Sequence, residues 1–375
     1  MSEWPMVKLG EVARVVAGGT PKTSVLEYWD GDIPWVTPKD LALSESLWIN
    51  AGERFITDYG LAKSAAALLP RGTVLWSSRA PIGLVAIANN QIATNQGFKS
   101  FVPGEELDPE YLAYFLIHQR PILEMMGVGA TFKEVSAKRA AEIMVPLPPL
   151  GEQKRIAEIL GGVSKAIQIL EHELQLLGEI SVLEQQNNLS TQKLSDLVTI
   201  RSGTVDPTLS VNRNLPHIAP DSIEKNTGRI LQIRSCEEDK VTSGKYHFYK
   251  GDVLYSKIRP YLNKVVIAPF EGLCSADMYA LRPKEGINSE VLQALLMSKD
   301  FLAYAEQWSG RASIPKINRK ALLAYNVPKM TDKQVNEVKA KIQSIHKVVE
   351  LKCRKLSLLQ ELQKSLANRA FAGLL

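Results

Sequence analysis

The chain repeats itself, and no other feature of the sequence narrows its fold as much. Val7-Lys8-Leu9-Gly10-Glu11-Val12 is echoed by Gln192-Lys193-Leu194-Ser195-Asp196-Leu197, and Gly18 by Gly203, each pair 185 residues apart. The echo continues in order. Ile33-Pro34-Trp35-Val36-Thr37-Pro38 matches Leu215-Pro216-His217-Ile218-Ala219-Pro220, and Gly72-Thr73-Val74-Leu75-Trp76-Ser77 matches Gly251-Asp252-Val253-Leu254-Tyr255-Ser256. Pro81 then pairs with Pro260, Val102-Pro103 with Arg282-Pro283, Lys138 with Lys320, and Val145-Pro146 with Val327-Pro328. The offset drifts only between 179 and 185, as small loop insertions would make it. Collinear agreement over about 140 positions reads as a duplicated domain.

After each copy the hydrophobic pattern changes. Ile156, Leu160, Val163, Ile167, Leu170, Leu174 and Leu177 step by fours and threes, the apolar seam of a coiled-coil helix. Val335, Val338, Ile342, Ile345, Val349, Leu356 and Leu359 follow one seven-residue ladder, interrupted where Lys352 falls. A continuous helix over 152–190 would run about 58 Å at 1.5 Å per residue. Gly161-Gly162 is a place where it could bend. An isolated apolar stripe has to be buried. The nearest partner is the equivalent helix of the other copy, paired antiparallel; the alternative is that each stripe packs on its own globular domain.

Within each copy, Thr73 to Trp76, Leu84 to Ala88, Asp252 to Tyr255 and Lys264 to Ala268 are short apolar runs between Gly, Pro and polar residues and read as strands. Leu107 to Gln119 and Asn288 to Gln307 have helical spacing. The expected class is α+β. Two similar mixed α/β domains, 1–150 and 191–330, alternate with helical segments, 151–190 and 331–375, that form an antiparallel coiled coil. A length of 375 residues fits two such domains.

Net charge is +5, but its distribution is uneven. Residues 1–190 carry 16 Lys+Arg against 22 Asp+Glu, and 191–375 carry 29 against 18, so a polyanion would meet the second half first. Cys236, Cys274 and Cys353 are odd in number and widely spaced, which suits isolated thiols in a reducing compartment. The opening, residues 1–10, has no apolar signal core, and no stretch approaches the roughly 20 apolar residues of a membrane helix. A cytoplasmic protein without a membrane is the expectation.

Motifs for chemistry are missing. Gly127-Val128-Gly129 lacks the spaced third glycine of a cofactor turn, Pro148-Pro149 has no Asn or Asp before it, and no phosphate loop of the Gly-x-x-x-x-Gly-Lys kind occurs. The five histidines show no metal-site spacing. One pattern has the form of a metal-dependent nuclease: Pro220-Asp221 followed by Glu238-Asp239-Lys240, where Asp221 and Glu238 would hold Mg²⁺ and Lys240 would steady a water. The first copy does not carry it. The expectation is no catalytic residue, no metal and no cofactor in this chain.

What remains is binding. Two similar surfaces at a set separation suit DNA, which repeats every 34 to 36 Å or so. In the first copy Thr20, Lys22, Ser77, Ser78, Arg79, Asn95, Gln96 and Lys133 occupy loop-like positions; in the second, Lys257, Arg259, Lys264, Arg311, Ser313 and Lys316 do so. Cations and hydroxyls bond phosphates, while Arg, Asn and Gln can pair two atoms of a base edge.

Gly18-Gly19-Thr20-Pro21, Ile33-Pro34-Trp35-Val36-Thr37, Trp76-Ser77-Ser78-Arg79-Ala80-Pro81-Ile82-Gly83, Ala93-Thr94-Asn95-Gln96-Gly97-Phe98 and Pro146-Leu147-Pro148-Pro149-Leu150-Gly151-Glu152-Gln153-Lys154-Arg155-Ile156 resemble the specificity subunits of type I restriction-modification systems. The resemblance covers essentially the whole chain. The second copy keeps the motifs loosely: Lys257-Ile258-Arg259-Pro260 stands for Ser78-Arg79-Ala80-Pro81, and Asp277-Met278-Tyr279 for Gln96-Gly97-Phe98. The resemblance implies a non-catalytic subunit whose two target recognition domains each read half of a bipartite, asymmetric target in double-stranded DNA, with the helices as a ruler. It also implies partners: two modification subunits that use S-adenosylmethionine, and restriction subunits that use ATP and Mg²⁺. Two other readings stay open, a structural scaffold without base reading and the metal-dependent endonuclease.

Overall fold

In a computed structural model of the chain, which describes residues 4–79, 81–127, 134–179, 190–310 and 314–375, the polypeptide divides into two compact units. The first comprises Met1–Glu171 with Arg354–Leu375 and the second His172–Cys353.

The first unit is built on a five-stranded sheet, in order Ala13–Ala17, Lys99–Pro103, Val74–Trp76, Val85–Ala88 and Trp48–Ile49. Val74, Leu75 and Trp76 are all buried, so this strand is apolar on successive residues rather than alternating. A three-stranded sheet of Arg54–Ile56, Trp29–Val36 and Ala93–Thr94 stands beside it, and Met6–Lys8 pairs with Met144–Pro146 to tie the two ends of the copy together. The helix Pro109–His118 starts at Asp108, whose carboxylate accepts the Tyr111 N–H, and buries Tyr111, Leu112 and Phe115 in the core.

The second unit repeats the central pairings of this topology in register, although its two sheets hold four and five strands instead of five and three. Met6↔Pro146 and Val7↔Val145 recur as Thr191↔Pro328 and Gln192↔Val327. Ala13↔Pro103 recurs as Val198↔Pro283, and Val74↔Ile87 as Val253↔Ile267. The parallel pairing of Trp35 with Ala93 recurs as His217 with Leu273. All four expected strands are present, three of them trimmed by a residue or two and the one expected over 252–255 shifted by one residue to Val253–Ser256. The expected single helix over 288–307 is two, Ser289–Met297 and Lys299–Trp308. They are separated by Ser298, whose backbone is extended (ψ 150°) and whose hydroxyl accepts the Phe301 N–H and so starts the second helix.

Two long helices follow the copies, Leu150–Glu179 and Asp332–Phe371. At 30 and 40 residues they measure about 45 and 60 Å. The first runs through Gly161-Gly162 without a break; Gly161 lies against Tyr114, whose hydroxyl would be 3.2 Å from an added Cβ. Within the first unit Gln363 donates to the Ser164 hydroxyl (2.7 Å) and Arg155 to the Leu375 carbonyl (3.1 Å), so the two helices run in opposite directions there. Within the second unit Lys352, the polar break in the ladder, meets Glu173 at 2.7 Å. The helix residues divide their contacts. Ile156 and Leu160 lie in the first unit's core together with Ala367, Ala370 and Phe371 of the other helix. Val335, Val338 and Ile342 instead pack into the second domain's core with Val291, Leu292 and Leu295, which corrects their expected place on a helix-helix seam. The start of the second long helix therefore covers its own domain's core. Ile167 and Leu170 are buried, and Val163, Leu174, Leu177, Ile345, Val349, Leu356 and Leu359 are half-buried. Among the described residues no helix is long and apolar enough to cross a membrane.

Candidate nucleic-acid interface

The loops of the first domain meet at one edge because a glycine lets them. A Cβ on Gly18 would sit 1.9 Å from the Asn95 carbonyl oxygen, so the turn 18–22 closes on the loop 94–98 only without a side chain there. The Gly19 N–H donates to Thr94 O (2.8 Å), and the Trp35 indole donates to Gly19 O (2.9 Å). The loop itself is held by the Asn95 N–H on Val36 O (3.0 Å) and by the Asn95 side-chain oxygen, which accepts the Gly97 N–H (2.9 Å). Across the closed turn the Thr20 hydroxyl donates to the Gln96 side-chain oxygen. Gln96 and Lys22 are exposed, and Thr20 and Asn95 half-buried.

Ser77 and Ser78 do not belong to this surface. Both are fully buried. The Ser77 hydroxyl donates to Pro81 O (2.7 Å) and accepts the Leu84 N–H (2.8 Å), and that of Ser78 donates to Gly97 O (3.2 Å). They hold the loop that presents half-buried Arg79, and their burial corrects their expected place at DNA. The Arg79 backbone forms an antiparallel β-bridge with that of Glu134, whose carboxylate meets the nearly buried Lys99 ammonium at 2.9 Å.

The second domain builds the same corner with other side chains. The Ser78 contacts, N–H on Gly97 O (2.8 Å) and carbonyl to the Val135 N–H (2.8 Å), recur at Lys257 with Asp277 O and the Ile317 N–H, both at 3.0 Å. The bridge Arg79↔Glu134 recurs as Ile258↔Lys316. Lys257 is half-buried with its ammonium 5.5 Å from the Tyr279 ring. Arg259 is exposed in the left-handed region (φ 47°), its N–H on Pro315 O (2.7 Å), and Lys316 is exposed. Lys264 is partly diverted: its ammonium donates to Pro220 O at 2.6 Å. Lys133, Arg311 and Ser313 lie outside the described residues. Sequence reasoning passed over Tyr261 and Trp308, both exposed beside this corner. An exposed aromatic is indistinguishable from a core one until the fold is known.

The nuclease-like residues are not assembled for metal. The Glu238 carboxylate accepts the Ser235 N–H (2.8 Å) and hydroxyl (3.1 Å), which lower its pKa, and Lys240 sits on a left-handed turn (φ 52°). Asp239 instead bonds the buried His217 ring at 2.8 Å. Among the described residues no group of three His, Cys, Asp or Glu is placed to hold an ion.

The family described as the type I restriction modification DNA specificity domain matches residues 1–179 and again 187–359. The MjaIX specificity subunit of Methanocaldococcus jannaschii is 38% identical over 183 residues, covering 48% of this chain and 42% of that protein. The EcoDI specificity subunit of Escherichia coli is 34% identical over 191 residues, covering 50% and 42%, so the aligned stretch spans less than half the length of either relative. The MjaVIII specificity subunit of M. jannaschii is 22% identical over 408 aligned positions, covering 99% of this chain and 92% of that one. In fold, the chain is similar to the crystal structure of a type I S subunit from M. genitalium (TM-score 0.57, 15% identity, 99% and 96% covered). It is also similar to a chain from a structural study of type I complex assembly and conformational transition (TM-score 0.63, 17% identity, 99% and 98% covered). With two matches that together take in nearly all of its residues and central strand pairings that recur in register, the chain belongs to the type I restriction-modification DNA specificity family.

Proposed function

We propose that the chain is the non-catalytic subunit that gives a type I modification and restriction complex its DNA sequence specificity. Each domain would read one half of a bipartite, asymmetric target, through Thr20, Lys22, Arg79, Asn95 and Gln96 in the first and Lys257, Arg259, Lys264 and Lys316 in the second. Lys133, Arg311 and Ser313 remain candidates on sequence grounds. The long helices, as an antiparallel coiled coil, would set the gap between half-sites. S-adenosylmethionine, ATP and Mg²⁺ chemistry would belong to modification and restriction subunits.

The observation that carries this reading is the recurrence of one hydrogen-bonded corner, at Ser78 and at Lys257, with different outward side chains. A scaffold would have no need to rebuild the same presentation frame around different readers. The helices offer a surface for partners as well. One position back from each seam runs a second apolar stripe, Ile169 and Leu176 on the first helix and Val348, Leu351, Leu358 and Leu362 on the second, all exposed. That stripe suits the two modification subunits.

The test is methylation of a random-sequence DNA library by the chain co-purified with its modification subunit, read by single-molecule sequencing for N6-methyladenine. Two short half-sites with a fixed gap are expected, and exchanging residues 1–150 should change one half only. Methylation without sequence preference would favour the scaffold reading and overturn this one.

A further inference from the structure

Five of the six tryptophans lie in the first 76 residues, buried or half-buried, while Trp308 is 53% exposed. Indoles are large apolar groups that usually end up mostly covered, so a solitary exposed one asks for a reason. Trp308 is not loose. It ends the helix Lys299–Trp308, which Ser298 caps, and its ring continues a stack that begins in the core: buried Phe301 against Tyr304 at 6.4 Å, and Tyr304 against Trp308 at 6.0 Å. Tyr304 is fixed in turn by Tyr325 at 4.9 Å and by its hydroxyl on Ala321 O at 2.8 Å. The matching helix of the first domain, Arg120–Glu124, has 5 residues against 10, so among the described residues this outward step is seen in the second domain.

A second aromatic and four cations lie on segments that pack against this helix or are bonded to its end. The 3₁₀ turn Pro260–Leu262 packs against the same helix and leaves Tyr261 51% exposed. Arg259 precedes that turn, and Lys316 is tied to the helix end through its N–H on Ser309 O (3.0 Å). Arg319 and Lys320 follow, exposed. None of these four cations is ion-paired among the described residues. An apolar protein partner would use the rings and have no need of unpaired cations; nucleic acid uses both, because bases offer π faces and phosphates take the charge.

We propose that Trp308, held by its stack on Tyr304, forms an aromatic wedge that the second domain sets against a base step of double-stranded DNA, with Tyr261 on the turn packed against the same helix, while Arg259, Lys316, Arg319 and Lys320 hold the flanking phosphates. The proposal rests on the reading of this domain as a DNA reader and adds the contact by which it would grip the duplex. A wedge of this kind unstacks its step, so it favours flexible steps and makes Trp308 a determinant of specificity without hydrogen bonds to a base.

The test uses the full chain in complex with its modification subunit and, as probe, a duplex carrying the motif that the wild-type complex methylates. Binding should quench the Trp308 emission, seen as the difference between wild type and Trp308→Phe. Trp308→Ala should weaken motif binding about tenfold or more, with Trp308→Phe retaining most of it, and both should assemble and melt as wild type does. A duplex with only the second half-site scrambled should lose most of the quenching. Unchanged affinity in Trp308→Ala, or no quenching while the wild-type complex binds its motif, would overturn the wedge. So would failure of Trp308→Ala to assemble with the modification subunit, since the surface would then dock protein. A wild-type complex that methylates without any motif would instead defeat the specificity reading itself, and the wedge with it.

Discussion

Gln153 joins the first domain to its long helix, and the cost of removing its amide follows from three contacts. The side chain is completely buried. Its oxygen accepts the Asp108 N–H, and its nitrogen donates to the carbonyls of Glu106 and Pro148, each at 2.8 Å. Gln153→Met keeps the length of the side chain and leaves all three backbone groups without a partner. The Asp108 and Glu106 groups are only partly covered and can regain water, at about 1 kcal/mol each, while the Pro148 carbonyl is buried and costs about 1–2 kcal/mol unpaired. The sum is about 3–4 kcal/mol. In urea, with a slope of about 2 kcal/mol per molar, the midpoint should fall by about 1.5–2 M. Tryptophan fluorescence in a Trp308→Phe background reports this unit selectively, because the other five indoles lie between Trp4 and Trp76. A fall of less than about 0.5 M would refute the reasoning, because it would mean that the three backbone groups find other partners at little cost. The second domain solves the same junction differently: Val335 occupies the matching position, buried and apolar, and Thr331 and Gln334 cap the helix through their side chains. Val335→Gln should therefore destabilise rather than restore.

Other outcomes follow from the same geometry. Phe371 packs against Tyr111, Phe115 and His118 at 5.3 to 5.5 Å, so Phe371→Ala should cost about 3–5 kcal/mol in thermal unfolding of the first unit, and a loss below 1 kcal/mol would contradict that packing. Burial lowers the pKa of His118 below its ordinary 6.5, so the unfolded chain binds this proton more tightly. Stability should therefore fall as pH drops from about 6.5 toward the folded value, and His118→Asn should remove that part of the pH dependence; an unchanged profile would exclude His118 as its source. Each phosphate contact adds about 0.9 to the salt slope of binding, so neutralising Lys257 and Arg259 should flatten the slope by about 1.8 and Arg79 alone by about 0.9. Equal effects in a salt titration of the complex would show that the charge asymmetry between the halves is not used at DNA.

Much of the architecture was legible in the residues. The duplication is visible as collinear pairs such as Val145-Pro146 and Val327-Pro328, and the structure places both in the same strand register. Strands came from short apolar runs, since burial on both faces demands them. The break at Ser298 was harder to see because a serine in mid-pattern serves equally as a helix residue or as a cap, and only the backbone decides. The helical ladders were legible as apolar periodicity, yet periodicity says only that a stripe is covered. It did not say that Val335 and Ile342 would be covered by their own domain or that Lys352 would meet Glu173.

The candidate surface divides along the same line. Sequence by itself determined the repeated frame, the helices after each copy, the excess of cations in the second half and the loops that hold polar residues, because these depend on local pattern and composition. Tertiary structure alone decided which of those residues reach solvent. Ser77 and Ser78 share a motif with Arg79 but turn inward to bond Pro81 and Gly97 carbonyls, and Lys264 turns to Pro220. Trp308 was one aromatic among many until a helix twice as long as its counterpart carried it out of the core. The physical reason is the same in each case: a hydrogen bond or a stacked ring is satisfied by whatever chain lies next to it in space, and loop closure, as at Gly18 against Asn95, brings together residues that the linear order keeps far apart.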